Sequence, residues 1–245
     1  MTMYNNPFSE RTILLLGSES VERLRQANVL VVGVGGVGAY AAEMICRAGV
    51  GSLTIVDADC VAPSNINRQL SALTSTVGKA KVEVLGKRFA DINPALRLRC
   101  LAQYVDESNV AQLLDSGPFD FIADAIDTIS PKVSLICEAL ERKTPIISSM
   151  GAGAKTDISK IRFADLWETY NCGLSRAVRQ ALKKRGFARR KVPVVFSTEA
   201  PDMNAIAFTE GERNKKTTAG TISYMPATFG CFMAQYVLTR LSGRK

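Results

Sequence analysis

The stretch "VVGVGGVG", Val31–Gly38, constrains this chain more than any other: a short apolar run ends on glycines at 33, 35 and 38, and an alanine-rich segment follows at once. In a strand–glycine–helix unit the first glycine makes the turn and the second lets the backbone approach a phosphate. The third lets helix and strand pack closely, and the helix N-terminus attracts the anion. Gly33, Gly35 and Gly38 match G-x-G-x-x-G, with Gly36 as an extra glycine. Asp57 falls 24 residues after Gly33, at the end of the next apolar run, where a carboxylate can accept from ribose hydroxyls. Loop and acid together indicate an adenosine nucleotide, against the plainer reading of glycines used only for packing. They do not separate NAD from ATP.

The rest of the chain repeats the strand–helix alternation. "SERTILLLG" and "SESVERLRQ" each begin with a capping Ser and show helical spacing, so two short N-terminal helices are expected. Strands are expected at "NVLVVGVG", "SLTIVDAD", "LRLRCLAQ", "FDFIADAID" and "TPIISSMGAG", with helices at "GVGAYAAEMICRAG", "KAKVEVLGKRFADIN", "DESNVAQLLD" and "SPKVSLICEALERK". This spacing predicts an α/β, Rossmann-like, doubly wound and mainly parallel sheet with right-handed crossovers. After about residue 155 the pattern changes, and an antiparallel C-terminal extension of the same sheet is expected. We therefore read residues 1–245 as one domain: N-terminal helices in 1–27, a nucleotide-binding half in 28–155 and a substrate-facing half in 156–245.

Composition narrows the chemistry. The chain has no histidine, which excludes Ser-His-Asp and Cys-His nucleophiles and any His-ligated metal. Six scattered cysteines contain no C-x-x-C pair, so no zinc site is expected, and reduced thiols suit a cytoplasmic location. The start of the sequence lacks a basic segment followed by an apolar core, so no signal peptide is expected. The uncharged window from Thr217 to Thr239 is interrupted by Gly220, Pro226 and Gly230, and reads as a buried strand, a turn and a core helix. Peripheral membrane association stays open.

Residues downstream of the loop favour ATP. "VDADCVAPSNINRQ" carries Asp57, Asp59, Ser64, Asn65, Asn67 and Arg68, and Lys81 follows thirteen residues after Arg68. Cations are needed where negative charge builds on a polyphosphate during displacement. Arg supplies a rigid fork and Lys a point charge. Asp124 and Asp127 in "DAIDT" lie near the carboxyl end of the fourth strand, where such sheets bind ligands and where a carboxylate could hold Mg²⁺. Each has a bland alternative: a solvated loop cation for Arg68, an exposed helix residue for Lys81 (with Lys79 beside it), a turn cap for either acid.

G-x-G-G-x-G, D-x-D, "SNINRQ", "VGKAK" and "DAID" in this order resemble the ubiquitin-activating-enzyme-like (HesA/MoeB/ThiF) adenylating superfamily, over roughly residues 9 to 150. The resemblance implies that ATP sits on the glycine loop and a substrate carboxylate attacks its α-phosphate. It implies that Gly33, Gly35, Gly36 and Gly38 lie against the nucleotide and that Asp57, with Asp59 nearby, binds ribose. Ser64, Asn65, Asn67 and Arg68 would contact phosphates, with Arg68 reaching across a homodimer. Lys81 would face the phosphates and Asp127 would bind Mg²⁺; Arg68, Lys81 and Asp127 are the implied catalytic set.

Which branch of the superfamily this is turns on the departures. Sulfur-carrier activators usually carry two zinc-binding C-x-x-C pairs, absent here, and often a catalytic cysteine, for which Cys172 is the best-placed candidate and a small filler the plain alternative. Whether Cys172 or Cys231 has any role stays open. "FSERTILLLGSESVERLRQANVLVVGVGGVG", "GAGAKTDISKIRFADL", "VFSTEAP" and "MPATFG" are instead similar to the tRNA threonylcarbamoyladenosine dehydratases. That likeness implies an ATP-dependent cyclisation at tRNA position 37, with neither a cysteine shuttle nor histidine. It leaves a monovalent cation and a sulfur-relay protein partner open. The alternatives are an adenylyltransferase acting on the C-terminal glycine of a ubiquitin-like sulfur carrier, and an NAD(P)-binding oxidoreductase or nucleotide sensor.

Charge placement supports an RNA partner independently. "RAVRQALKKRGFARRK" holds eight basic residues (Arg176, Arg179, Lys183, Lys184, Arg185, Arg189, Arg190 and Lys191) and no acidic one, matching the whole formal excess of +8. As a helix it would bury Leu174, Ala177, Val178, Ala181 and Leu182 and turn Arg176, Arg179 and Lys183 outward. Phosphate contacts would follow, with Phe187 placed to stack on an unpaired base. A solubilising cationic face, or a site for an acidic ubiquitin-like protein, is the alternative.

Overall fold

A computed structural model describes residues 7–208 and 217–243. Its strands are β1 (Asn28–Val32), β2 (Ser52–Val56), β3 (Arg97–Leu101), β4 (Phe121–Asp124), β5 (Ile146–Ser149), β6 (Ile161–Asp165), β7 (Pro193–Ser197), β8 (Ile206–Phe208) and β9 (Thr217–Ala219). Its helices are α1 (Glu10–Leu16), α2 (Ser18–Gln26), α3 (Gly38–Arg47), α4 (Lys81–Ile92), α5 (Val110–Asp115), α6 (Ile129–Arg142), α7 (Gly173–Lys184) and α8 (Tyr224–Leu241).

The main sheet runs β3-β2-β1-β4-β5-β7-β6, parallel except for β6, which pairs antiparallel with β7 at the edge. The expected doubly wound sheet with an antiparallel C-terminal addition is what forms. Because strand side chains alternate, Val29 and Val31 of β1 join one core layer with α3, α4 and α8, while Leu30 and Val32 join the other with α5, α6 and α7. Strand order reverses between β1 and β4, so a crevice opens beyond their carboxyl ends.

Several details depart from expectation. Ser9 precedes α1 but sits at φ −105, ψ 0, a helical conformation that aims no hydroxyl at the first turn, and Ser18 lies inside α2 behind Gly17; neither makes a side-chain cap bond. The strand after the hydrophilic loop is short and does not join the main sheet: β8 and β9 form a separate antiparallel ribbon, with Thr218 exposed rather than buried. Most of that loop, "EGERNKKTTAG", lies outside the described residues. Pro226 and Gly230 do not interrupt a helix; both lie within α8. Pro226 occupies its first turn, where no amide donor is missed. At Gly230 a Cβ would come within 2.5 Å of the Val37 carbonyl, so the glycine lets α8 cross α3 backbone to backbone. No helix among the described residues is long and apolar enough to cross a membrane.

Candidate active site

The glycine loop leaves β1 into the crevice, and each glycine there has a distinct local reason. Gly33 takes φ +84, and a Cβ on it would meet the Ala125 carbonyl oxygen at 2.8 Å. At Gly38 a Cβ would stand 1.8 Å from the Gly33 oxygen, which only a glycine permits. Gly35 is open: its nearest neighbour is the Gln69 side chain, at 3.7 Å from a Cβ position. Gly36 faces Pro226, whose Cβ would lie 3.1 Å away. The extra glycine thus makes room for α8 beside the loop. The open side of the loop is at Gly35, where a phosphate could approach backbone amides.

Around this loop the polar residues form a connected set. Asp57 follows β2; its carboxylate accepts from the Val34 amide (2.8 Å) and from the Asp59 amide (2.9 Å). Burial pushes the Asp57 carboxyl above the usual carboxylate range, and the Lys81 ammonium pulls against that shift. Lys81 opens α4, is 4% exposed, and donates to Asp59 Oδ2 at 2.7 Å. Segment 59–61 is hydrogen-bonded to 78–81, and the Lys81 amide donates to the Asp59 carbonyl, which seats that lysine against the β2 loop. Lys79 is exposed two residues before the helix begins, so the two lysines are not equivalent.

The "SNINR" segment makes a 3-10 turn at Pro63–Asn65. Asn65 Oδ1 accepts from the Ala62 amide, and Asn67 donates to the Thr221 carbonyl at 2.9 Å. The exposed Ser64 lends its carbonyl, with Asn67 Oδ1, to the Arg68 guanidinium, both at 2.8 Å. Gln69 Oε1 is buried without a hydrogen-bond partner beside the open Gly35, an orphaned polar atom at the point where a nucleotide would enter.

The two aspartates after β4 separate cleanly. Asp124 is fully buried: its Oδ2 accepts from Lys132 Nζ and Ser148 Oγ, both at 2.6 Å, and its Oδ1 from the Ile126 amide at 3.0 Å. It cannot serve as a metal ligand without breaking that set, which corrects the pairing of Asp124 with Asp127. Asp127 is exposed at the mouth of the crevice. Lys132, Ser148, Gln69 and Pro226 are the neighbours that sequence reasoning missed. Among the described residues no three acidic or cysteine side chains cluster as a metal centre.

The basic segment divides in two. α7 buries Ser175, Val178 and Leu182, and Arg176, Lys183, Lys184, Arg189 and Lys191 are exposed. Arg179 does not point outward: its guanidinium donates to the Leu166 and Thr169 carbonyls and to the Thr169 hydroxyl, at the C-terminal end of the 3-10 turn Leu166–Glu168 that packs against α7. Arg185 pairs with Glu107 at 2.8 Å, and Arg190 donates to the Leu140 carbonyl at 3.2 Å. Phe187 is partly buried against the α5–α6–α7 core. Cys172 is buried at the N-terminus of α7 with its sulfur accepting from the Ser175 amide, as a small capping filler does. Cys231 is exposed on α8.

A glycine loop at the switch point of a doubly wound sheet, with a buried acid, a seated lysine and a guanidinium around it, is the architecture of the nucleotide-binding α/β class. The chain belongs to the ThiF family, whose profile matches residues 9–245. It is 39% identical over 238 residues to the tRNA threonylcarbamoyladenosine dehydratase of Bacillus subtilis, covering 94% of this chain and 93% of that one. Crystal structures of the E. coli tRNA N6-threonylcarbamoyladenosine dehydratase superpose at TM-score 0.89 in complex with ATP and 0.88 with AMP, each 32% identical. They cover 99% and 100% of this chain and 98% of each of those chains. The molybdopterin-synthase adenylyltransferase of Escherichia coli is 32% identical, but over 168 residues, 68% of this chain and 66% of that one.

Proposed function

We propose that this chain is an ATP-dependent tRNA threonylcarbamoyladenosine dehydratase. One observation carries the reading: likeness to a dehydratase runs through 94% of the chain, whereas likeness to a carrier-protein adenylyltransferase stops at 68%.

ATP is a substrate here. The threonyl carboxylate oxygen bonds to the α-phosphorus and pyrophosphate leaves with the electron pair of the broken P–O bond. The carbamoyl nitrogen then bonds to the activated carbonyl carbon, loses its proton, and AMP departs carrying one former carboxylate oxygen. The nucleoside loses the elements of one water. Asp57 accepts from ribose, and Gly35 offers backbone to the phosphates. Lys81 and Arg68 counter the charge that grows on the leaving pyrophosphate. Lys81 must exchange its Asp59 partner for a phosphate oxygen to do so, and the 70% exposure of the Asp59 side chain makes that exchange cheap. Asp127 is the residue that would hold Mg²⁺, which would supply positive charge against the polyphosphate, and such a site needs only one or two carboxylates from the protein.

Arg176, Lys183, Lys184, Arg189 and Lys191 contact the tRNA backbone, and a second copy of the chain completes the phosphate site through Arg68. Action on tRNA places the protein in the cytoplasm. We treat residues 1–245 as one unit. Incubating the protein with ATP, Mg²⁺ and tRNA bearing threonylcarbamoyladenosine, then digesting to nucleosides, is expected to give a product lighter by one water, with stoichiometric pyrophosphate. Competent protein that leaves the mass unchanged refutes the assignment.

A further inference from the structure

We infer that the buried Asp124–Lys132–Ser148 cluster is a positioning device that sets the glycine loop and Asp127 in register with each other. This rests on the reading that ATP sits on the glycine loop. All three residues are fully buried, and they come from three elements: the end of β4, the first turn of α6, and β5. Their contacts close on themselves. Lys132 Nζ donates to Asp124 Oδ2 (2.6 Å) and to Ser148 Oγ (2.9 Å), and that hydroxyl donates to the same Asp124 oxygen (2.6 Å).

A buried ion pair contributes little net stability, because removing two charges from water costs about what their attraction returns. Its presence therefore asks for another explanation, and the remaining oxygen of Asp124 supplies one. Oδ1 accepts from the Ile126 amide at 3.0 Å, fixing the Ala125–Ile126 peptide. That peptide is the surface on which Gly33 rests: a Cβ on Gly33 would meet Ala125 O at 2.8 Å, Ala125 C at 2.9 Å and Ile126 N at 3.2 Å. Gly38 approaches the same residue, with a Cβ position 3.0 Å from Ala125 Cβ. Asp127 is the next residue along the chain. One carboxylate, itself held from two sides, thus determines where the phosphate loop lies and where the exposed acid begins. Polyphosphate geometry is sensitive to such placement, since an error of about 1 Å in a catalytic site can cost about 100-fold.

Two variants separate position from charge. Asp124→Asn/Lys132→Met removes both charges but keeps an oxygen for the Ile126 amide. Asp124→Leu/Lys132→Met/Ser148→Ala replaces the cluster by apolar groups and releases that amide. ATP and AMP dissociation constants and thermal midpoints are measured for both and for the wild type. The Asn/Met protein is expected to bind ATP within about 3-fold of wild type. The apolar triple variant is expected to lose about 10-fold or more for ATP, and less for AMP, at a thermal midpoint near that of the wild type. A folded triple variant with unchanged ATP affinity overturns the inference, as does an Asn/Met protein that loses as much as the triple. If the triple variant does not fold, amide exchange at Ile126 decides: exchange as fast as an exposed loop in the wild type or the Asn/Met protein overturns it. Wild type that binds no ATP fails the nucleotide reading itself, and the inference with it.

Discussion

The glycine loop and the α7 surface are two charged or polar regions built on opposite logics. At the loop, backbone geometry decides which residue can stand where: Gly33 and Gly38 exist because carbonyls occupy the space of a Cβ. Around α7, geometry is permissive and charge is abundant, yet three of the eight cations are engaged by the protein itself: the part-buried Arg179 by two carbonyls and a hydroxyl, and at the surface Arg185 by Glu107 and Arg190 by a carbonyl. A count of cations therefore overstates an electrostatic surface, while a count of glycines at a tight loop does not overstate the loop.

The contrast breaks most visibly at Gly38. Gly38→Ala would drive a methyl group to 1.8 Å from the Gly33 oxygen, so α3 must move or the turn must open. A loss of about 3 kcal/mol or more in denaturant unfolding is expected, with ATP binding abolished. Retention of both would mean the loop is as permissive as α7.

A smaller effect sharpens the division within the basic segment. Arg179→Ala is expected to cost about 2 kcal/mol of stability, because buried carbonyls lose charged donors, while leaving the salt dependence of tRNA binding in place. The combined Arg176→Ala/Lys183→Ala/Lys184→Ala protein should do the reverse: near-native unfolding, with the salt slope shallower by about 0.7 for each lost phosphate contact. If both proteins flatten the slope equally, Arg179 faces the RNA after all.

The smallest expected effect is a displacement in pH. Burial raises the Asp57 pKa and Lys81 lowers it, so the carboxylate proposed to accept from ribose takes up its proton at a pH above the usual carboxylate range. Adenosine affinity should fall as acid protonates it. Lys81→Met removes the lowering influence, so that fall should begin at a higher pH. Adenosine carries no phosphate, which keeps the direct contact of Lys81 out of the measurement. A fall that begins at the same or a lower pH contradicts the coupling.

Much of this was legible in the residues. Alternating apolar runs and glycines placed every strand of the nucleotide half and the helices between them: burial on both faces leaves a strong pattern in β1, β2, β4 and β5, and the exposed edge strand β3 was placed by its position between two helices. The grouping of Asp57, Asp59 and Lys81 was readable from spacing, since the two acids lie just past β2 and the lysine opens α4, whereas Arg68 sits in the intervening loop and bonds Ser64 and Asn67. What sequence did not separate was Asp124 from Asp127. Both are acids three residues apart at a strand end, and only the arrival of Lys132 from α6 and Ser148 from β5 makes one structural and the other exposed. Arg179 was misread for a similar reason: helical spacing fixes a direction, but the carbonyls it meets belong to the turn at Leu166–Glu168. Pro226 and Gly230 were read as helix breakers because their packing partners, Gly36 of the loop and the start of α3, lie far away in sequence.

That last contact bears on how the molecule is made. Gly36 precedes Pro226 by 190 positions, yet a Cβ on the glycine would come within 3.1 Å of the proline ring, and Gly230 brings α8 against α3 directly behind the loop. A chain leaving the ribosome N-terminus first would expose its nucleotide loop long before the helix that backs it has been synthesised. Nascent chains short of α8 should display an apolar α3 flank and a slack phosphate loop, a natural client for a chaperone. Nucleotide competence then becomes a report that translation has passed residue 241.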